Sequence, residues 1–485
     1  MAVSDYQRIA HLLRRAGFGA TPAEMDVYLQ LGFEGTVETL LDPSAEEAGD
    51  IELPLDGVNP RALRTGLLPA RWLYRMANTS RPLVEKMAFF WHGHFATSID
   101  KVKNTTIMWQ QYEFLRDNGL GTFHDLALGI SMDPAMIVWL DNVRSRKEAP
   151  NENYARELLE LFTLGIGNYT EDDVKAAAAA FTGWSLVLKI GAELGDDNLV
   201  LDMLRANEEL TEEMRRELQM ARRTADADFL FRASWHDNGE KRFLGEVGPL
   251  DGDDIVRVIT EQQANADFIT RKLFSFFVWD NPDPQTLEPF VAVYQNTGGD
   301  IRETMRAILL SDAFSSDEAY RAKIKSPVEL VVGLIKDFGM TTFDFRFIDS
   351  LQMQGQVPFT PPHVGGWPSG TAWIGPSTLL ERFNLPYRLI NGSEGSRQQS
   401  AISPGEWGTR LGIDSAMSPE DVVDSLVQRF LVGDAQTYER ETLLTYAQSA
   451  GLTGSSIVDN ATPESQAAMA GLVRLVTSVP TYQLN

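Results

Sequence analysis

The sequence of 485 residues contains no cysteine. This absence excludes disulfide bonds, thiolate nucleophiles, and zinc or iron–sulfur centres held by cysteine. No apolar run reaches the roughly 18 residues that a membrane-spanning helix needs, and the first residues contain no apolar core typical of an export signal. In this form the chain is therefore expected to be cytoplasmic, without a membrane span.

Familiar catalytic motifs are also missing. The chain has no glycine-rich phosphate loop, no G-x-S-x-G nucleophile elbow and no H-E-x-x-H zinc motif, so serine-based hydrolysis and nucleotide binding have no motif support. Positive charge is scarce, because 43 Lys and Arg residues stand against 68 Asp and Glu residues, which gives a formal net charge of −25. Such a surface repels phosphate backbones and anionic lipids, so binding to nucleic acid or membranes is not expected.

The chain contains many apolar residues at helical spacing. They make up 43% of the sequence, enough for a large interior, and the helical pattern dominates the segments 60–140, 151–164 and 251–390. Ser or Thr residues that precede a Pro or an acidic third residue predict helix starts. These caps are Thr21, Thr170, Ser326, Ser418 and Thr462.

Strand character is confined to short apolar runs at 184–188, 228–232 and 241–244, which predict one small antiparallel sheet with a hairpin turn at 237–239. The predicted fold class is therefore mainly α, a large multi-helix core with a small antiparallel β element near 184–244. The predicted organisation is a helical core domain (1–390) with an acidic helical insertion (191–227) that projects from the sheet, a Gly/Ser-rich linker (391–407), and a C-terminal helical segment (408–485) that packs on the core.

The segment 151–165 is the most informative stretch of the chain. At helical spacing it places Asn153, Arg156, Glu157 and Glu160 on one face, with apolar side chains on the opposite face. Leu159 and Thr163 lie beside the polar face, and a polar cluster partly surrounded by apolar groups is destabilising unless its members are paired. The pattern therefore predicts either a functional site or a buried ion-pair network.

His92 and His94, in the motif Phe-Trp-His-Gly-His-Phe, are the leading candidates for metal ligands, because imidazole is the commonest neutral metal ligand. On a helix these two positions point roughly 200° apart. Both can bind one ion only if the helix ends near Gly93 or the segment is extended. The alternative is that one imidazole is hydrogen-bonded in the core and the other faces solvent.

His236 and Asp237 form a pair that can bind a metal or transfer protons, or that serves ordinary turn chemistry. Glu157 and Glu160 can supply carboxylates to the same ion, or they can pair with Arg156. Together the candidates predict a site for zinc, iron or manganese. Its predicted metal ligands are His92, His94 and His236, and its predicted catalytic carboxylates are Glu157, Glu160 and Asp237.

Several short motifs follow one another in a fixed order from about His11 through the final helix. They are His11–Gly19, Phe90–Phe95, Asp133–Met136 with Leu140–Asn142, Asn151–Gly165, Tyr169–Thr170 with Asp173–Val174, Phe181–Trp184, His236–Asp237 with Lys241 and Phe243–Gly245, Lys325–Leu330, and Gly366–Pro368. In this order they resemble the domain-of-unknown-function 1800 family of bacteria. The resemblance implies no established reaction.

The resemblance also implies a location and a possible partner for the protein. Relatives are often exported, and they are often encoded beside a second uncharacterised family, domain of unknown function 1501, that resembles sulfatases and alkaline phosphatases. This chain departs from the family pattern in lacking an export signal and in having His363 where Asn is expected.

Two hypotheses about function follow. The first is an enzyme, oxidative or hydrolytic, whose bound metal activates water or oxygen. The second is a non-catalytic scaffold or partner of the phosphatase-like neighbour protein, in which the polar clusters are structural ion pairs.

Overall fold

The computed structural model describes residues 4–47, 51–53, 60–190, 211–340, 343–391 and 406–485. Within these residues the chain is mainly α-helical, as the sequence predicts, and it contains two small antiparallel two-stranded sheets. The described α-helices are α1 (Asp5–Arg15), α2 (Pro22–Leu41), α3 (Pro60–Asn78), α4 (Pro82–His94), α5 (Ile99–Val102), α6 (Thr105–Asn118), α7 (Phe123–Met132), α8 (Pro134–Trp139), α9 (Glu152–Glu157), α10 (Glu171–Ala180), α11 (Glu212–Thr224), α12 (Gly252–Thr260), α13 (Gln263–Phe277), α14 (Pro284–Asn296), α15 (Ile301–Leu309), α16 (Pro327–Asp337), α17 (Arg346–Gln354), α18 (Pro376–Asn391), α19 (Trp407–Leu411), α20 (Pro419–Leu431), α21 (Thr437–Ser449), α22 (Gly454–Val458) and α23 (Pro463–Ser478).

The predicted helix starts are confirmed at the level of single hydrogen bonds. Each cap side chain accepts the backbone N–H of the residue three positions later, and the residue at that position returns a bond to the cap backbone. The caps are Thr21, Thr170, Ser326, Ser418 and Thr462. Within the described residues, no helix is both long enough and apolar enough to cross a bilayer.

The β structure differs from the single predicted sheet. Strand β1 (Trp184–Leu188) pairs antiparallel with β2 (Ala227–Phe231), with Trp184 opposite Phe231. The third predicted strand, β3 (Lys241–Phe243), instead pairs with β4 (Glu246–Gly248) in a separate hairpin. Its turn is Leu244-Gly245, where both residues have positive φ, and not the predicted turn at 237–239. The two-residue turn pairs β3 with β4, the strand that directly follows it, so β3 does not pair with β1 or β2.

Helix α11 lies in the predicted insertion 191–227, of which residues 191–210 are outside the described part of the chain. This helix packs against α6 and does not project freely. Leu218 and Ala221 are buried, and the Asn104 side chain donates to the carbonyls of Arg222 and Ala225 at 2.9 and 2.8 Å. The Asn104 side chain thus supplies hydrogen-bond donors to carbonyls at the C-terminal end of α11 that have no partner within the helix.

Helix α4 is the centre of the structure, because it is buried on every side along its length. Met87, Phe90 and Trp91 belong to one large apolar cluster. Ala88 and Phe89 belong to a second cluster, which includes buried residues of α16 and of the C-terminal helices α20 to α23. The C-terminal helices therefore share a core with α4, whereas most of the predicted linker 391–407 lies outside the described residues.

Two buried charges on α4 are both paired. The Glu85 carboxylate accepts from Trp72 Nε1 at 2.9 Å, from Arg116 Nε at 2.8 Å and from the Tyr112 hydroxyl. On the other side, the Lys86 ammonium donates to Glu329 of α16. A buried charge that lost its partner would cost several kcal/mol, so these pairs hold α4 in one orientation.

A close contact between two glycines joins the aromatic loop 355–376 to the C-terminal end of α4. Gly366 has a φ of +83°, and a Cβ atom placed on it would lie 2.3 Å from the Gly93 carbonyl oxygen. Only glycine tolerates both conditions. The contact places Trp367 beside His92, with their ring centroids 5.4 Å apart.

Replacing Gly366 by Ala is expected to destabilise the protein more than replacing Gly355 by Ala. Gly355 has a similar φ of +80° but open space around it, so its substitution costs only the left-handed backbone, about 1–2 kcal/mol. Gly366→Ala adds a steric clash of about 1–3 kcal/mol. Urea unfolding of both variants measures the difference, and equal stabilities would show that the loop does not rest on Gly93.

Candidate functional site

A cleft of about 380 Å³ lies beside the C-terminal end of α4, between α13 and the aromatic loop. Its wall combines aromatic rings with cationic side chains, which is the usual composition of a small-molecule site: mostly apolar, with a few placed polar groups. The aromatic residues are Phe89, Phe90, Phe276, Trp367 and Trp373, and the cationic ones are Arg271, Lys272 and Lys323. His94, Asp280 and Glu329 also line the cleft.

His94 is held in one tautomer. Its Nε2 lies 2.8 Å from the Phe162 carbonyl oxygen, so this nitrogen carries the proton and donates. Burial, together with the charge of Lys272, holds the pKa of His94 well below its usual value. The imidazole is therefore neutral at pH 7, with a lone pair on Nδ1, and that nitrogen has no hydrogen-bond partner among the described residues.

The carbonyl that His94 caps belongs to the informative segment 151–165. There α9 continues into a single π-helical turn, Leu158–Thr163, a feature that is often found at functional sites. The last carbonyls of such a turn have no partner within the helix. Side chains supply the partners: Lys272 reaches the Leu161 carbonyl at 3.3 Å, and Asn265 reaches the Thr163 carbonyl at 3.0 Å.

Two cations of the cleft have no carboxylate partner among the described residues. Burial lowers the pKa of Lys272 to about 8, and its ammonium lies 4.8 Å from the centre of the Phe268 ring. The Arg271 guanidinium donates to the Pro282 carbonyl at 2.7 Å. Lys323, by contrast, is paired with Asp280. The α13 side of the cleft therefore carries positive charge that nearby acidic side chains do not neutralise.

His92 faces a different side of α4 from His94. The backbone N–H of Phe359 donates to its Nε2 at 2.9 Å, and the rings of Trp72, Phe359 and Trp367 surround it. Burial lowers the pKa of His92 to about 3. Because α4 remains helical through His94, the two imidazoles diverge, and both are buried and hydrogen-bonded, so neither faces solvent.

His236 and Asp237 take part in local turn chemistry. His236 Nδ1 lies 2.9 Å from the Thr182 carbonyl, and the Asp237 backbone N–H donates to the Thr182 hydroxyl at 2.8 Å. The Asp237 carboxylate accepts the backbone N–H of Gly239 at 2.7 Å. These bonds fix the segment that precedes β3.

Glu157 and Glu160 lie close enough to influence each other. Burial, with the charge of Glu160, raises the pKa of Glu157. Glu160 accepts a hydrogen bond of 2.9 Å from the Tyr169 hydroxyl. Arg156 pairs with neither of them, because its guanidinium binds Glu171 at 2.6 and 2.8 Å.

The structure joins His94 to the segment 151–165, but it does so through the Phe162 carbonyl and not through a carboxylate. Within the described ranges, no group of three or more His, Asp or Glu side chains is placed to hold a metal ion. The metal site therefore stays a prediction. Sequence reasoning missed Arg271 and Lys272, whose signal is a pair of adjacent cations inside the apolar run 268–277.

The chain was compared with protein families, with curated proteins and with solved structures. A family model described as "Protein of unknown function (DUF1800)" matches residues 11–484, nearly the whole chain. No curated protein and no solved structure matches the chain significantly.

The neutral state of His94 predicts a dependence of stability on pH. The unfolded imidazole binds a proton below about pH 6.5 and the folded one does not, so the free energy of unfolding falls as the pH falls below that value. Gln at position 94 keeps a donor for the Phe162 carbonyl but cannot be charged. Between pH 6 and pH 5, His94→Gln is expected to reduce the slope by at most about 1.4 kcal/mol per pH unit.

Urea unfolding at several pH values measures this slope. His124→Gln, at a half-exposed position, is the matched control for the substitution itself. A slope that His94→Gln leaves unchanged would mean that the imidazole at position 94 already binds a proton in the folded state.

Proposed function

The chain belongs to the DUF1800 family, and we propose that its cleft binds a small organic anion. The observation that carries the proposal is the pair Arg271 and Lys272, two cations at one cleft without a carboxylate partner among the described residues. In a chain of net charge −25, uncompensated positive charge at a concave site favours a ligand that brings its own negative charge.

The size and lining of the cleft support an organic ligand with an apolar part. Pockets for small molecules range from about 300 to 1,000 Å³, and this cleft has about 380 Å³. The aromatic wall, with Trp367, Trp373 and Phe276, supplies the apolar surface for such a ligand. An aromatic carboxylate would place its ring against Trp367 and Phe276 and its charge beside Arg271 and Lys272.

The same groups suit chemistry on the bound anion. A lysine with a pKa near 8 is partly neutral at physiological pH, so Lys272 can act as a base or as a nucleophile towards a carbonyl carbon. The ring of His94 lies in the wall of the same cleft, and its Nδ1 is a buried, neutral acceptor. This supports an enzyme that uses Lys272, with Arg271 as the anchor for the anion.

The metal-dependent reaction and the phosphatase-like partner remain predictions from the sequence. The His94 Nδ1 nitrogen supports the first of them, because a neutral imidazole lone pair is a metal ligand. The metal content of protein purified without chelator, compared with that of the His92→Ala, His94→Ala double variant, tests it. Co-purification of a phosphatase-like protein tests the second.

Naphthalene-2-carboxylate is expected to bind the wild-type protein, and the neutral amide of the same ring system is expected to bind much more weakly. Hydrogen bonds to a charged group contribute about 1.5–3 kcal/mol, so the double variant Arg271→Gln, Lys272→Met should raise Kd at least about tenfold. Isothermal titration calorimetry measures both effects. Arg215→Gln, on the exposed face of α11, is the control; equal affinities for acid and amide would contradict the proposal.

The affinity for this anion is expected to fall as the pH rises from 7 to 9. The pKa of Lys272 is about 8, so the ammonium loses its proton over this range, whereas arginine stays charged. In the Lys272→Arg variant the affinity should therefore be nearly constant between pH 7 and pH 9. The same fall in both proteins would show that another group controls binding.

A further inference from the structure

A chain of aromatic rings runs through the core from the cleft to a second groove. This groove has a volume of about 570 Å³ and lies between α3, α6 and the start of the aromatic loop, with Trp109 in its wall. At the other end of the chain, Trp367 lies in the wall of the cleft. Both end rings are partly exposed, whereas the rings between them are buried. The ring chain therefore joins two sites that solvent reaches.

The rings follow one another at contact distance. The centroids of Trp109 and Tyr112 are 4.6 Å apart, and those of Tyr112 and Trp72 are also 4.6 Å apart. The imidazole of His92 lies between two indoles, 5.2 Å from Trp72 and 5.4 Å from Trp367. Aromatic rings with centroids about 4.5–7 Å apart are in packing contact. No gap wider than one ring therefore interrupts the path between Trp109 and Trp367.

Three of the five rings belong to residue types that give up a single electron readily at both ends and in the middle of the path. Tryptophan and tyrosine are the most readily oxidised side chains of a protein without cysteine, and this sequence contains none. An oxidised tyrosine must release its phenolic proton, because its radical cation is a very strong acid. A buried tyrosine can do so only if a base already contacts its hydroxyl.

Glu85 is that base. Its Oε2 atom lies 2.9 Å from both the Tyr112 hydroxyl and the Trp72 indole nitrogen, and Arg116 Nε donates to its Oε1 at 2.8 Å. Indole and guanidinium N–H groups only donate, so the carboxyl group that accepts from both is ionised and can take a proton. Burial raises the pKa of Glu85, which makes it a stronger base than an exposed carboxylate.

We propose that this ring chain carries single electrons to the cleft and protects the cleft from a strong one-electron oxidant, such as an organic radical. Trp367 gives one electron to the oxidant. Trp72 then donates an electron to Trp367 across His92, and Tyr112 donates one to Trp72. The phenolic proton of Tyr112 passes to Glu85, which leaves a neutral tyrosyl radical and a neutral carboxylic acid.

A one-electron reductant in solution, of the class of ascorbate, restores the ring chain through Trp109. Its electron passes to Tyr112, and Glu85 returns the proton to the phenolate oxygen. At the end one electron has moved from the reductant to the oxidant, and every side chain is in its starting state. Trp109 can serve as the entry point because it is partly exposed in the wall of the groove.

Flash photolysis of the full chain tests the proposal. Because the protein has no cysteine, Ser369→Cys, an exposed position in the cleft wall, can carry a single ruthenium diimine photosensitiser. A flash with a cobalt(III) quencher produces ruthenium(III), which is the one-electron oxidant. We expect the absorption of a neutral tyrosyl radical, and we expect it to be lost when the labelled protein also carries Tyr112→Phe.

Tyr482→Phe is the matched control. Tyr482 is also buried and donates to a carboxylate, that of Asp337, at 2.8 Å, but its ring lies outside the ring chain, so this substitution should leave the radical signal unchanged. Trp72→Phe interrupts the ring chain and should abolish the tyrosyl signal while Trp367 is still oxidised.

If Trp72→Phe does not fold, Trp109→Phe, at the partly exposed end, replaces it. Ascorbate should then remove the tyrosyl radical more slowly than in the protein that has Trp109. The proposal is overturned if no tyrosyl radical forms, if the radical persists in Tyr112→Phe, or if ascorbate acts equally fast on Trp109→Phe. No anionic ligand is used, so the result is independent of the ligand proposed for the cleft.

Discussion

The capping of the π-helical turn Leu158–Thr163 by side chains of other helices is the interaction on which the site depends. His94 reaches this turn from α4, and Asn265 and Lys272 reach it from α13. These bonds satisfy carbonyls that would otherwise be buried without a donor. They fix the His94 tautomer and hold Lys272 where burial lowers its pKa. The polar groups of the cleft are thus positioned by the need to pair backbone carbonyls.

A second constraint, the contact between Gly366 and Gly93, positions the wall of the cleft that lies opposite α13. The contact of Gly366 with the Gly93 carbonyl holds the aromatic loop against the end of α4, so that Trp367 faces α13 across the cleft. Glu329, the partner of Lys86, also lines the cleft, so the buried ion pair of α4 contributes to its wall. Three segments that carry the family resemblance, Asn151–Gly165, Lys325–Leu330 and Gly366–Pro368, therefore contact α4 although they lie far apart in the chain.

Helical spacing and capping residues predict the fold class and helix starts such as Thr21 and Ser326, because these depend on neighbours within one turn. The pairing of β3 was mispredicted, since an Asp-Asn-Gly sequence marks a turn equally well whether or not a hairpin follows. For the site, the pattern identified His94 and the segment 151–165 but not their link. That link is a hydrogen bond from a side chain to a backbone carbonyl. Every residue has a backbone carbonyl, so no residue type in the sequence predicts this bond. Arg271 and Lys272 were missed because their importance lies in the absence of carboxylates around them.

We infer that Lys272 is a partly buried, uncompensated cation and that an organic anion neutralises it. An NMR titration of ¹³C-labelled lysine side chains measures this directly, with the spectrum of Lys272→Arg assigning the signal. We expect a pKa near 8 for Lys272 in the free protein and a higher pKa when naphthalene-2-carboxylate is bound. A pKa near that of free lysine, about 10.4, unchanged by the ligand, would contradict it.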